Sequence, residues 1–322
     1  MVTRDPVGPR RPLIPRALQA LRRAGVGALL ACTAAAGQAG VLRYCDAAAE
    51  LTTAQQATLF RFGAVVRDTL ERSGHDIALI ARSGLDLSRF DQRYSHAGLS
   101  LRASPNAPWS VRQLYYDCDE RRPRLFDQGI AGFVLGSVDP SAGYVSVLLL
   151  PPAAALPLER AAQDRRQALS LLGGTYSANA YAFAQRYQNC NQWVAEMLAV
   201  AWGGLAEADA VAGPERRAQA QQWLQAQGFM PTRFEVRNPL LMWLGGALPW
   251  LHSDDHPPEA LAQQHFLVSM PASIEAFVRA TVPGARRLEF CHDGRRVVTR
   301  EGWEPIAAGC RPGPDDAVVA LD

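Results

Sequence analysis

The stretch RYQNCNQWVAEML, residues 186–198, places a cysteine between two asparagines where a periodic apolar run begins. Asn189 is a good N-cap, which makes Cys190 the first residue of a helix. There the unsatisfied backbone N–H groups and the helix dipole favour a thiolate, and a thiolate is a nucleophile. Val194, Met197 and Ala201 follow at helical spacing, so the thiol is expected on the inward face rather than in solvent. The competing reading is a small buried hydrophobe, the usual state of a structural cysteine.

Such a thiol lacks only a base, commonly a histidine. Of the six histidines, His96 is the best placed. It lies in RYSHAGLSLR, residues 93–102, where Ala97, Leu99 and Leu101 face one way and His96, Gly98 and Ser100 the other. Gly98 leaves room for another element to approach. An imidazole also needs a partner that fixes its tautomer. Gln113 belongs to the set Trp109, Val111, Gln113 and Tyr115 on the next strand and lies close to opposite residue 98, which makes it the first choice. Gln128, in FDQG, is the second.

The elements that position these residues follow from pattern. Thr52 or Thr53 caps a helix through QQATLFRFGAVVRDTLERSG, with Leu59, Phe62, Val66 and Leu70 at helical spacing. DIALIARSG reads as a strand. RYSHAGLSLR and WSVRQLYYD, joined by the turn residues ASPNAP, read as an antiparallel hairpin, and GYVSVLLL as a third strand ending at Pro151-Pro152. Residues 157–172 read as a helix. The Cys190 helix runs to about Trp202, where Gly203-Gly204 closes it. PERRAQAQQWLQAQG reads as an exposed helix, and residues 264–300 as strand, helix, strand, strand. The Pro-, Gly- and Trp-rich stretch 236–258 reads as a buried irregular segment, with a lid or an interfacial patch as alternatives. Helices and strands are segregated rather than alternating, which argues for an α+β fold.

Residues 1–39 have the layout of a secretory signal: Arg10, Arg11, Arg16, Arg22 and Arg23, then an uncharged run from Ala24 to Ala36, then Gly37-Gln38-Ala39. Export to the periplasm or beyond is the expectation. Lipidation at Cys32, after Leu29-Leu30-Ala31, is an open alternative. The segment carries six arginines and one aspartate, a net +5, so the rest of the chain is about −3 against +2 for the whole. No basic surface remains to bind nucleic acid. In an oxidising compartment Cys291 and Cys310 flank a hairpin-like segment and pair most easily, and Cys45 could then pair with Cys118. Four cysteines admit three connectivities. Of the five past residue 39, Cys190 is the natural odd one out, the competing reading being that Cys190 pairs and another cysteine is free.

No lysine occurs among the 33 basic residues, which removes Walker A loops, kinase-type ATP sites and Schiff-base chemistry. His252 and His256 enclose two aspartates at a ligand-like spacing, but Pro249, Pro257 and Pro258 crowd them, and a solvated loop is favoured over a metal site. No metal and no cofactor is expected.

The order SHAGL, then a strand with a polar residue, then NCNQWVAEML resembles the circularly permuted branch of the NlpC-type papain-like superfamily, which includes lecithin–retinol-acyltransferase-like proteins. The chain is also similar, over most of residues 44–205, to exported bacterial proteins grouped as a domain of unknown function. The resemblance implies a permuted papain-like core over residues 44–230, its sheet packed on the cysteine helix, with residues 231–322 packed on or completing it. It also implies Cys190 as nucleophile, His96 as base, Gln113 as orienter and the Cys190 backbone N–H in an oxyanion hole. Trp193 stands where the family more often has phenylalanine, and Gln113 where several members have histidine, so activity is expected to be modest. The implied reaction is acyl transfer through a thioester, as a hydrolase or transferase, on a cell-wall peptide, an amide or a lipid acyl group. The tryptophan-rich segment 243–250 leaves peripheral membrane contact open. A non-catalytic envelope binding or structural protein on the same fold is the alternative.

Overall fold

The computed structural model describes residues 51–137, 139–205, 213–236 and 248–321. Helix α1 (Thr53–Arg72) begins in a capping box. The Thr52 side chain accepts the Gln55 N–H at 3.3 Å, and the Gln55 amide oxygen accepts the Thr52 N–H at 2.9 Å. The helix buries Leu59, Phe62, Val66 and Leu70, the stripe its periodicity predicts.

The chain then builds one antiparallel sheet. Its strands are β1 (Ile77–Arg82), β2 (His96–Leu101), β3 (Ser110–Asp117), β4 (Arg122–Gln128), β5 (Gly143–Leu149), β8 (Arg286–His292), β9 (Arg296–Glu301) and β10 (Ala317–Ala320), in the spatial order β10-β9-β8-β5-β1-β2-β3-β4. A smaller pair joins β6 (Thr232–Glu235) to β7 (His265–Val268). Helices α1 and α2 (Ile130–Leu135) cover one face of the large sheet, meeting Ala78, Ile80, Val111, Val145 and Val147. The alternate set, including Leu79, Ala97, Leu99 and Leu148, is equally buried. It faces α3 (Pro152–Gln163), α5 (Cys190–Trp202) and α8 (Pro271–Thr281). The fold is therefore α+β, with a large antiparallel sheet and the cysteine helix packed on β2 and β3.

Three elements differ from their sequence patterns. β4 has no clear alternation and contains Pro123, but it is an edge strand, where a missing N–H costs no ladder bond on the outer side. Residues 152–170 form two helices, α3 and α4 (Arg165–Ser170). Pro152 opens the first, and the Asp164 side chain caps the second through the Arg166 N–H at 2.8 Å. Helix α6 (Pro214–Ala226) is not an exposed helix, since Arg216, Arg217, Ala220, Gln221 and Leu224 are buried. Past residue 231, α7 (Pro258–Ala262) and α8 precede β8, β9 and β10, which extend the main sheet beyond β5.

Gly98 allows a close approach of β3 to β2. A Cβ there would lie 2.5 Å from Val111 Cγ1 and 2.9 Å from the Arg112 carbonyl oxygen on β3. Backbone cannot step aside, so Gly98→Ala is expected to destabilise by about 1–3 kcal/mol. A lower urea midpoint with an unchanged slope would show it.

Candidate active site

Asn189 does cap the cysteine helix. Its Oδ1 accepts the Gln192 N–H at 2.7 Å, and its Nδ2 donates to the carbonyls of Ala178 and Ser269 at 3.3 Å each. Cys190 is thereby fixed as the first helical residue, is unpaired, and is only 6 % exposed. The approach to it is clamped from α6. Arg217 donates to the carbonyls of Ala184, Gln185 and Tyr187 at 3.1, 2.7 and 2.9 Å, and its Nε meets Glu196 at 3.0 Å. Glu196 in turn accepts from Gln188 and Gln221 at 2.7 Å each.

The thiol sits where the sheet opens. The ladder between β2 and β3 pairs Leu101 with Ser110, Ser100 with Val111 and Leu99 with Arg112, and there it stops. The next N–H on that side of β2 belongs to Ala97, and it points to the Cys190 sulfur. The thiol itself lies 4.0 Å from the Ser95 carbonyl oxygen, and Asn191 Nδ2 donates to the same oxygen at 3.2 Å. The helix start thus takes up backbone groups that β3 leaves free.

His96 lies between those two contacts in sequence, and the parted strands are bridged by its ring. Its Nε2 is 2.6 Å from Gln113 Oε1, and Gln113 Nε2 donates to Gln128 Oε1 at 2.9 Å. Because the Gln113 amide nitrogen is engaged with Gln128, its oxygen faces the imidazole and accepts the Nε2 proton. That tautomer leaves Nδ1 as the basic nitrogen. Tyr115 and Phe133 flank the ring at 5.2 and 6.0 Å between centroids. The structure therefore joins His96, Gln113 and Gln128 in one relay and sets Cys190 against the backbone on either side of His96. No hydrogen bond joins the thiol to the imidazole.

The resting electrostatics differ from the thiolate expected at a helix start. Burial pushes the Cys190 thiol up to about 11, outweighing the lowering by Arg82 and by the N–H groups of Asn191, Ala97 and Cys190. Burial, with Arg82 beside it, pushes His96 down to about 3 against a small raising by Gln113. Both groups rest neutral. An unfolded histidine titrates near 6.5, so between that pH and about 3 the unfolded chain holds a proton that the folded one lacks. Stability is present above this window and falls as the pH drops through it, by about 1.4 kcal/mol per pH unit from this group. Burial lowers His256 and His292 in the same direction. On the alkaline side the unfolded thiol ionises from about 9 and the folded one only near 11, so stability falls again as the pH rises through that interval. Urea midpoints across pH, with His96→Gln flattening the acid limb, check this.

Arg82 is a site residue that pattern reasoning overlooks. It ends β1 directly opposite His96 and is 4 % exposed, and its charge acts on both Cys190 and His96. The only signal is an arginine closing the apolar run DIALIAR, which reads equally well as a strand end reaching solvent. Elsewhere, His252 stacks on Tyr187 at 4.4 Å and His256 Nε2 lies 2.7 Å from the Asn179 carbonyl oxygen. Among the described residues no cluster of histidine, cysteine or carboxylate side chains is arranged to hold a metal. Cys291 and Cys310 form a disulfide, and Cys118 is disulfide-bonded. Cys45, the lipidation position Cys32, the signal-like segment 1–39 and most of the tryptophan-rich stretch 243–250 lie outside the described residues.

No curated protein and no solved structure matches the chain. A family model described as an uncharacterized protein conserved in bacteria, DUF2145, matches residues 69–278. That span holds Arg82, His96, Gln113, Gln128 and Cys190 and covers well over half the sequence. The chain belongs to the DUF2145 family of bacterial proteins.

Proposed function

We propose that the protein is a cysteine-dependent acyl-transfer enzyme, a hydrolase or transferase of the permuted papain-like kind, acting in the cell envelope on a peptide, an amide or a lipid acyl group. The observation that carries this reading is the His96–Gln113–Gln128 relay, which leaves Nδ1 as the basic nitrogen of a residue whose backbone neighbours, Ser95 and Ala97, meet the unpaired thiol at the α5 start. In the reaction, Cys190 turns from the Ser95 carbonyl towards His96, and Nδ1 takes the thiol proton as sulfur bonds to the substrate carbonyl carbon. The carbonyl π electrons become an oxyanion near the Cys190 N–H. Its collapse breaks the bond to the leaving amine or alkoxide, which receives the proton from His96. Water or another acceptor then attacks the thioester by the same proton path.

The second reading, a non-catalytic binding protein, draws on the neutral resting pair and on the absence of a thiol–imidazole hydrogen bond. Incubation with p-nitrophenyl acetate followed by mass spectrometry separates the two. The expected result is one acetyl group on Cys190, absent in Cys190→Ala. If the folded protein carries no acetyl on Cys190 and releases no p-nitrophenol above the solvent rate, the enzyme reading is wrong.

A further inference from the structure

We infer that Arg82 is a carboxylate-binding subsite of this centre, so that the acyl donor or its leaving group bears a free carboxylate close to the bond that is cut. The guanidinium is buried, yet no carboxylate lies within 4.0 Å of it among the described residues. Burying an unpaired cation is costly, and such a group is normally matched by an anion. Its partners here are neutral. Nη1 donates to the carbonyls of Gly136 and Ser83 at 2.5 and 3.3 Å, and Nη2 makes one long bond to Tyr115 Oη at 3.4 Å. Nε has no partner at all. The donors left over are Nε and Nη2, the neighbouring pair that grips a carboxylate through two parallel bonds.

The seat for this group is built into the chain. A Cβ at Gly136 would overlap the guanidinium, and one at Gly84 would lie 2.8 Å from Nη1. The Phe133 ring lies under the cation at 5.4 Å. Position follows from register, because Arg82 and His96 are directly paired across β1 and β2 and so project from the same face. A carboxylate on Arg82 would sit beside the imidazole. It would also offset the Arg82 charge, which after burial is the second influence holding the imidazole low, and so make the base easier to protonate as the ligand binds.

The identity of the carboxylate's owner as substrate rests on the acyl-transfer reading; the anion site itself does not. The test uses Cys190→Ala protein, which cannot turn over, titrated with N-acetylglycine and separately with the neutral N-acetylglycinamide. The Arg82 Nε–H resonance is followed by NMR and assigned by its loss in Arg82→Lys. N-acetylglycine is expected to shift this resonance saturably and the amide to leave it in place, while Arg82→Lys binds the acid about 10- to 100-fold more weakly. The inference is overturned if the acid leaves the resonance unmoved, if both compounds move it alike, or if Arg82→Lys binds the acid as tightly as the parent. Should Arg82→Lys not fold, comparison of the two ligands on the parent protein decides alone. A normal titration combined with no acetylation of wild-type Cys190 would sink the enzyme reading and leave the carboxylate site standing.

Discussion

Replacing Arg217 with alanine is expected to destabilise the folded protein by about 3–5 kcal/mol, the usual consequence of stripping one partner from a buried ion pair. The side chains of Arg217 and Glu196 are 1 % and 0 % exposed. Burial already raises the Glu196 carboxyl, with Arg217 the first influence opposing it. Without Arg217 the carboxylate keeps only the amides of Gln188 and Gln221, the carbonyls of Gln185 and Tyr187 lose the Arg217 donor, and that of Ala184 is left to Gln192 and Gln221. Those carbonyls belong to the segment that delivers Asn189 and Cys190, so the cysteine helix should loosen at its first turn. A lower urea midpoint and faster iodoacetamide labelling of Cys190 are the measurements. The double variant Arg217→Met, Glu196→Leu should recover most of the loss, because it removes the stranded charge. If the single variant melts like the parent, the ion pair does not hold this helix.

His96→Ala should slow acetyl transfer to Cys190 by about 10²- to 10⁴-fold, the ordinary worth of a positioned base. Gln113→Leu tests a different link, since it keeps the imidazole but removes the oxygen that holds the Nε2 proton. Its loss should be smaller, and combining the two should cost no more than His96→Ala alone, since the orienter acts only through the base. Additive losses would mean that Gln113 contributes through something other than His96. Equal rates for His96→Ala and the parent would remove the base from the mechanism.

Much of this arrangement is legible in the residues because it rests on local rules. The N-cap at Asn189 and the alternation in RYSHAGLSLR and WSVRQLYYD place Cys190, His96 and Gln113 on their elements, and those elements meet as the pattern suggests. Gln128 is found by type, but its strand is hidden, because Pro123 and the flanking charges resemble a loop until β3 supplies a ladder for them. The buried arginines are illegible for a deeper reason. Arg82, Arg216 and Arg217 look like surface residues in one dimension, and only tertiary partners such as Glu196 or the Gly136 carbonyl make their burial tolerable. Thiol ionisation fails in the same way, since a helix start is local but desolvation belongs to everything packed around it.

The strand order has a consequence in time. Strands β1 to β4 pair with near neighbours in the chain, so the hairpins bearing Arg82, His96 and Gln113 can form early. The far edge of β5, residues 143–149, must wait for residues 286–292 before its backbone is matched. Until then a nascent chain displays a row of unpaired amides along an apolar strand, an invitation to pair with another molecule. Chains cut short before β8 should therefore aggregate even though they contain every residue of the centre, which makes the last tenth of the polypeptide its safeguard against self-association.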